Sequence, residues 1–226
     1  MIRRVEKIDD LVPIKNVVIS VSDKRNLDVL AIGLLKYCPG VKIYASGGTH
    51  EALKALISPA GAEQYLCEIS EYTGQPETEG GLVKTLHHKL FLGYLTETYC
   101  SAHQNDLARE KATPIDLVVI NLYPFKKTIA KPETTFEDAR GNIDVGGPSA
   151  LRAAAKNFLR VMTCVNPEDY NSLADELEMF SGFISLNSRI HAAKRTFKML
   201  SEYDSAIAKY LGEANICDIM NEYDIV

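Results

Sequence analysis

No apolar stretch of this chain reaches transmembrane length, and its first residues, Met1-Ile2-Arg3-Arg4, run into acidic positions rather than the apolar core of a signal peptide. A membrane partner and an export leader are therefore not expected, and the chain reads as cytoplasmic. Basic excess is missing too. The net charge is −5, and no local run of Lys and Arg offsets it, which argues against nucleic acid as a partner. The five cysteines, Cys38, Cys67, Cys100, Cys164 and Cys217, are odd in number, scattered, and form no C-x-x-C pair. That spacing suggests neither a zinc site nor a disulfide framework, only reduced thiols filling core or surface. Internal repeats, low-complexity tracts and a convincing linker are also lacking.

What remains is an ordinary globular composition: 226 residues, 46% hydrophobic and 24% charged, enough to bury a sizeable core. The expectation is one domain over residues 1–226, with a core over about 15–165 and a helical region over about 166–226. Asn16–Val21 reads as a strand and Leu27–Tyr37 as a helix, its apolar residues spaced by three and four. Val41–Ala45 and Tyr65–Ile69 read as further strands, with a helix starting near Thr49 between them. Ile115–Asn121 is apolar almost throughout, the mark of a strand buried on both faces of a parallel sheet. A helix from Gly146 to Lys156, a strand Val161–Val165 and a packing helix over roughly Ser188–Leu211 complete the pattern. Lys126–Thr135 reads as an exposed connection. Strand and helix in alternation predict an α/β fold: a doubly wound, mostly parallel sheet with helices on both faces and a C-terminal helical extension.

Four short stretches combine small loop residues with reactive side chains: Ser22-Asp23-Lys24, Ser46-Gly47-Gly48-Thr49, Val83-Lys84-Thr85 and Asn142-Ile143-Asp144-Val145-Gly146-Gly147. Three of them adjoin segments read as strand or helix, so each can sit where a strand hands over to a helix, the usual place for phosphorylated ligands in an α/β sheet. Glycine lets the backbone approach an oxyanion, hydroxyls and N–H groups donate to it, and lysines supply charge. Together they point to a nucleotide-like phosphate ester. In a chain of this net charge, such an anion must be met by a few placed cations, such as Lys24, Lys84 and Lys156.

Each candidate also has a plain structural reading. Lys84 can be a solvated loop lysine, and Lys156 a helix-end lysine facing the dipole. Asp144 can simply start a helix. Tyr123, in Asn121-Leu122-Tyr123-Pro124-Phe125, follows a buried strand at the edge where ligands sit, but a Tyr before Pro also fills turns.

The combination of motifs resembles a known family. Ser20-Val21-Ser22-Asp23-Lys24, Ala45-Ser46-Gly47-Gly48-Thr49, Val83-Lys84-Thr85-Leu86-His87, Asn121-Leu122-Tyr123-Pro124-Phe125, Ile143-Asp144-Val145-Gly146-Gly147-Pro148 and Leu151-Arg152-Ala153-Ala154-Ala155-Lys156-Asn157 occur in this order. From about Val17 to Leu211 the chain resembles the IMP cyclohydrolase domain of bifunctional purine biosynthesis enzymes, whose other half is the AICAR transformylase. The resemblance implies a methylglyoxal-synthase-like fold. It also implies dehydrating ring closure of 5-formamidoimidazole-4-carboxamide ribonucleotide (FAICAR) to IMP, without metal or redox cofactor. Carried over position by position, Lys84, Tyr123, Asp144 and Lys156 match the catalytic residues. Ser22, Asp23, Lys24, Ser46, Gly47, Gly48 and Thr49 match the ribose-phosphate cradle; Thr85, Asn121, Val145 and Gly146 match positions around the base, largely through backbone groups. The resemblance further implies a homodimer, with proton transfer assigned to Asp144 and Lys156, polarisation of the oxygen to Lys84, and a hydrogen bond to Tyr123. Lys84 and Lys156, if close, would depress each other's pKa.

Departures from the family pattern cluster in one region. Leu82 stands where an Arg is usual, His88 where a Pro is usual, and Phe91 and Leu92 where a second His and small residues are usual. Arg25-Asn26 replaces Thr-Gly. The tail Asn215–Val226 has nothing of a transformylase, so the chain is either a stand-alone cyclohydrolase served by a separate formyltransferase or part of a longer protein. Two other readings stay open: a nucleotide-binding regulatory module with weakened catalysis, favoured by Leu82 and the His88–Leu92 segment, and a methylglyoxal synthase.

Overall fold

The computed structural model describes residues 4–76, 78, 83–220 and 222–225. In chain order the elements are β1 (Leu11–Pro13), β2 (Asn16–Val21), α1 (Leu27–Tyr37), β3 (Lys42–Ala45), α2 (Gly47–Ile57), β4 (Leu66–Glu68), α3 (Ile69–Thr73), α4 (His88–Leu95), α5 (Ser101–Arg109), β5 (Leu117–Asn121), α6 (Phe125–Ile129), α7 (Phe136–Gly141), α8 (Gly146–Lys156), β6 (Met162–Cys164), α9 (Tyr170–Met179), β7 (Phe183–Ser185), α10 (Leu186–Glu213) and α11 (Ile216–Met220).

Five strands form one sheet in the order β4-β3-β2-β5-β6, every neighbouring pair parallel. The alternation of side chains along each strand divides the core in two. Val17, Ile19 and Val21 of β2 and Leu117 and Val119 of β5 enter a cluster with Leu30 and Leu34 of α1 and Leu53 of α2. Val18, Val118 and Ile120 face the other way, against Leu90 of α4 and Leu151 of α8. Helices therefore cover both faces, as the uninterrupted apolar run of β5 requires, and each fully buried aliphatic side chain contributes about 1.5–3 kcal/mol.

A short antiparallel pair, β1 with β7, lies outside that sheet. Three-residue strands with no period-2 stretch carry too little signal to be read from sequence. The C-terminal region is thus helical with one strand in it. Arg189 of α10 fastens the pair: its fully buried guanidinium donates to the carbonyls of Asp9 (2.6 Å), Asp10 (2.9 Å), Ile184 (2.7 Å), Phe158 (3.0 Å) and Leu159 (3.2 Å). Gly182, at φ 89°, makes the turn into β7 where a Cβ would strike the Tyr37 carbonyl oxygen. The segment expected as an exposed connection, Lys126–Thr135, is helical at its start, because α6 runs on from the buried Phe125.

At the amino edge of the sheet Asp116 and Arg160 form a buried pair, Oδ1 to Nη1 3.2 Å. Asp116 Oδ2 also accepts the N–H groups of Lys15 (3.0 Å) and Asn16 (2.9 Å). Burial pushes the Asp116 carboxyl up, and the Arg160 guanidinium opposes that shift.

Candidate active site

The strand order reverses direction at β2, whose neighbours β3 and β5 are reached by connections on opposite faces, so the crevice beyond the carboxyl ends of β2 and β5 is the place where such a sheet takes ligands. Asn121, the last residue of β5, organises that crevice. Its Oδ1 accepts the N–H groups of Ser22 (2.7 Å) and Asp23 (2.8 Å) and the Ser22 hydroxyl (2.9 Å), while its Nδ2 donates to the Asp23 carbonyl at 3.0 Å. One side-chain amide thereby fixes the Ser22–Lys24 loop. Lys24 is exposed beside it. Asp23 pairs with Arg25 at 2.6 Å, which holds its carboxyl below the usual range, and Arg25 reaches Glu168 at 3.1 Å. Asn26, at the position where the family usually has Gly, adopts a left-handed φ of 57°, a conformation Asn tolerates better than most residues.

The second loop caps α2. Ser46 Oγ lies 2.8 Å from Ser20 Oγ, and the first full helical bond runs from the His50 N–H to the Ser46 carbonyl at 2.9 Å. Gly47 and Gly48 come before it, so their N–H groups lie at the positive end of the helix dipole. A Cβ at Gly48 would meet nothing within 4 Å. Thr49 is spent differently: its buried hydroxyl accepts the Val21 N–H (3.0 Å) and donates to the Val21 carbonyl (3.2 Å), clamping α2 to β2. Ser46, Gly47, Ser70, Gln75 and Lys84 line one cleft, and Gln75 Nε2 donates to the Val83 carbonyl at 3.2 Å, holding the Lys84 loop over it.

The third part is the start of α8. Asp144 Oδ1 accepts the Gly147 N–H at 2.9 Å, and the Asp144 N–H donates to Tyr203 Oη of α10 at 2.8 Å. Burial pushes the Asp144 carboxyl above the usual range, against the lowering by the Gly147 and Gly146 N–H groups. The backbone is close-fitted here. A Cβ on Gly146 would lie 2.7 Å from Thr85 Oγ1, and one on Gly147 would lie 2.6 Å from Asp144 Oδ2 and 2.7 Å from Leu122 Cδ2. Those contacts bring the Lys84-Thr85 loop, the Leu122-Tyr123 turn and the Asp144–Gly147 turn together. Val145 is exposed at 60% and Tyr123 at 58%, so both are available to a ligand.

Lys156 stands apart. Because α8 returns the chain from β5 to the parallel β6, it runs against the strands: its first residue is at the carboxyl edge and its last, the exposed Lys156, at the amino edge. The neighbouring Asn157 confirms the edge, donating to the Tyr94 (2.8 Å) and Thr96 (3.0 Å) carbonyls beside Arg160. Within one protomer, then, Lys84, Thr85, Tyr123, Asp144, Val145 and Gly146 gather with the Ser22 and Ser46 loops, and Lys156 does not join them.

Of the departing residues, Leu82 lies outside the described residues. His87 caps α4 by accepting the Lys89 N–H on Nδ1 at 3.3 Å, and burial lowers its pKa. His88 pairs with Glu110 at 3.3 Å, and Phe91 packs edge-on against the buried Tyr94, ring centroids 5.7 Å apart. The departing segment forms α4 and packs on the core.

Sequence reasoning missed Tyr203, whose contact with Asp144 spans 59 residues and leaves no local trace. It also passed over Glu97-x-x-Cys100-x-x-His103, whose potential ligand atoms lie within 4.8 Å of one another. This set sits at the amino edge, away from the site, and His103 Nδ1 accepts the Glu97 N–H at 3.1 Å, which makes it a loop brace. All five cysteines are thiols outside any disulfide, and burial pushes those of Cys38 and Cys164 up to about 12, as inert filler.

The parallel five-stranded sheet with a crevice at its β2/β5 switch point defines a class, and the chain belongs to the MGS-like domain family, whose profile matches residues 34–149. Residues 154–224 match the profile of the AICARFT/IMPCHase bienzyme. The chain is 41% identical over 203 residues to the bifunctional purine biosynthesis protein PurH of Leptospira biflexa, covering 90% of this chain and 38% of that protein. With PurH of Rippkaea orientalis it shares 43% over 192 residues, 85% of this chain and 36% of that protein. It thus spans less than two-fifths of these relatives and corresponds to their IMP cyclohydrolase domain alone. A solved structure, "Crystal structure of ForH", superposes with a TM-score of 0.70 at 33% identity, over 86% of this chain and 97% of that one.

Proposed function

We propose that this chain is an IMP cyclohydrolase, closing the ring of FAICAR to IMP with loss of water in cytoplasmic purine biosynthesis. The observation that carries the reading is the convergence of Lys84, Tyr123 and Asp144 with the Ser22 and Ser46 loops at one edge of the sheet. The phosphate rests on the N–H groups of Gly47 and Gly48 and on hydroxyls of Ser22 and Ser46, with Lys24 supplying charge. Thr85, Asn121, Val145 and Gly146 surround the base.

In the reaction the carboxamide nitrogen bonds to the formamido carbonyl carbon. That nitrogen loses one proton and the former carbonyl oxygen gains one; the tetrahedral adduct then expels that oxygen as water while the formamido nitrogen gives up its proton, forming the ring C=N bond and leaving one N–H on the former carboxamide nitrogen. Folding the two groups together is the larger part of catalysis. Asp144, whose raised pKa suits proton exchange near neutrality better than an ordinary carboxylate, moves the proton. Lys84 stabilises the developing oxyanion and Tyr123 donates a hydrogen bond. Lys156 joins only from a second copy of the chain, which makes the functional unit a homodimer.

The test is to mix purified protein with FAICAR and follow IMP absorbance, for wild type and for Lys84→Ala and Asp144→Asn. Loss of turnover in both variants with wild-type activity intact supports the reading. Tight FAICAR or IMP binding by wild type without turnover replaces it with the regulatory module, and binding of neither compound defeats both.

A further inference from the structure

Asp144 is held from behind by a helix the mechanism above does not use. Its N–H precedes the first turn of α8 and so has no helical acceptor; Tyr203 Oη takes that hydrogen bond at 2.8 Å. Tyr203 lies in the middle of α10 and is 9% exposed. Its ring is set edge-on to the buried Phe125 of α6, centroids 6.2 Å apart. Phe125 in turn meets Tyr210 edge-on at 5.8 Å, and Tyr210 stacks on Phe136 of α7 at 6.0 Å. Ile143, next to Asp144, packs in the same cluster.

The geometry follows from these contacts. α6 and α7 lead into the Asn142–Val145 turn, and α10 offers a flat aromatic wall on which both rest. Among the described residues, the atom of that wall that hydrogen-bonds the turn is Tyr203 Oη. Arg152 of α8 and Asp204 of α10 form an ion pair beside it, fixing the helix that Asp144 opens against the same wall. Shape alone would leave the Asp144 main chain free to rock about the cluster. A hydrogen bond to its N–H removes that freedom, and the Gly147 N–H on Oδ1 then fixes the carboxylate relative to the main chain.

We propose that Tyr203 is a positioning residue that sets the Asp144 carboxylate in its productive place, so that the C-terminal helix α10 is part of the site although it touches no substrate. The proposal rests on the reading of Asp144 as the proton-transfer group. Misplacement of a catalytic group by a fraction of an ångström costs rate without loosening the substrate, since the phosphate cradle is on the other side of the crevice.

The deciding variant is Tyr203→Phe, which keeps the ring against Phe125 and removes only Oη. The expected result is a kcat lower by about tenfold with KM unchanged, and an acid limb of the pH profile moved to lower pH as Asp144 relaxes toward solvent. In the double variant with Asp144→Asn, removal of Oη leaves the small residual kcat of Asp144→Asn, read at high enzyme concentration, unchanged, because Tyr203 acts only through Asp144. Tyr210→Phe, in the same aromatic cluster, is the control and leaves kcat as in wild type. A Tyr203→Phe enzyme with wild-type kcat and pH profile, or rate losses that multiply in the double variant, overturns the proposal. Amide hydrogen exchange separates this from failure of the functional reading. If wild type turns over no FAICAR, that reading falls, while faster exchange at Asp144 in Tyr203→Phe still upholds the positioning contact and unchanged exchange removes it.

Discussion

Asp144 and Lys156 bracket one helix. Asp144 stands two residues before α8 and Lys156 is its last residue, so about 15 Å of helix axis separates their ends. A site that needs both must draw them from different copies. Lys84→Ala and Lys156→Ala are each expected to abolish turnover alone, and co-refolding the two should restore activity to about a quarter of wild type, since half the dimers are mixed and each holds one intact site. Full activity in Lys156→Ala alone would remove Lys156 from the site.

Asn121 acts through the loop it holds. Replacing it with Ala leaves the Ser22 and Asp23 N–H groups unsatisfied, and a loss of about 2 kcal/mol in chemical denaturation is expected. Asn121→Asp retains the acceptors but loses the donor to the Asp23 carbonyl. It should recover only part of the stability, since its second oxygen meets the Asp23 carbonyl, and under the proposed function it should bind nucleotide more weakly, because a negative charge then faces the phosphate. Equal affinity in Asn121→Asp and wild type would place the phosphate elsewhere.

The buried Asp144 carboxylate costs stability near neutral pH. Its folded pKa is raised above 3.8 by burial, so the native state holds that proton more tightly than the unfolded chain. The Asp144 contribution to stability is therefore fully present below 3.8 and is lost as pH rises through the folded value. Asp144→Asn keeps an oxygen for the Gly147 N–H and removes the buried charge. Thermal melts should show it more stable than wild type at pH 7, with the difference vanishing in acid below 3.8. A variant less stable at pH 7 would mean that the helix dipole outweighs burial.

Gly146 and Gly147 separate by what a methyl group would meet. At Gly146 it meets only Thr85 Oγ1; at Gly147 it is caught between the Asp144 carboxylate and Leu122. Gly147→Ala is expected to lose about 1–3 kcal/mol in denaturation and most of its turnover, and Gly146→Ala less of both. The reverse order would show that the Thr85 loop, rather than Asp144, is the rigid side of the pocket.

The elements that sequence made legible share one property: their signal is local. Leu27–Tyr37 and Asn16–Val21 match the structure residue for residue, because helical spacing and a continuous apolar run are written in adjacent positions. Beyond the Val83-Lys84-Thr85 loop, the sequence suggests no helix between Thr73 and Ile115, although α4 and α5 lie there. There His88, Phe91 and Leu92 were weighed only as departures from a motif, when their role is to open and pack a helix. β1 and β7 escaped because each gains its hydrogen bonds from the other across some 170 residues of chain.

Motif and spacing by themselves determined the fold class, the strands that bear the loops, and a short list of candidate side chains for a nucleotide site. Reactive residue types next to glycines carry that chemistry wherever the chain places them. Tertiary structure alone decided which of them meet. The direction of α8 against a parallel sheet sends Lys156 to the far edge, and Thr49 is turned inward onto Val21. A tyrosine far along the chain comes to hold Asp144. These outcomes depend on where helices pack, and packing is settled by contacts between residues remote in sequence.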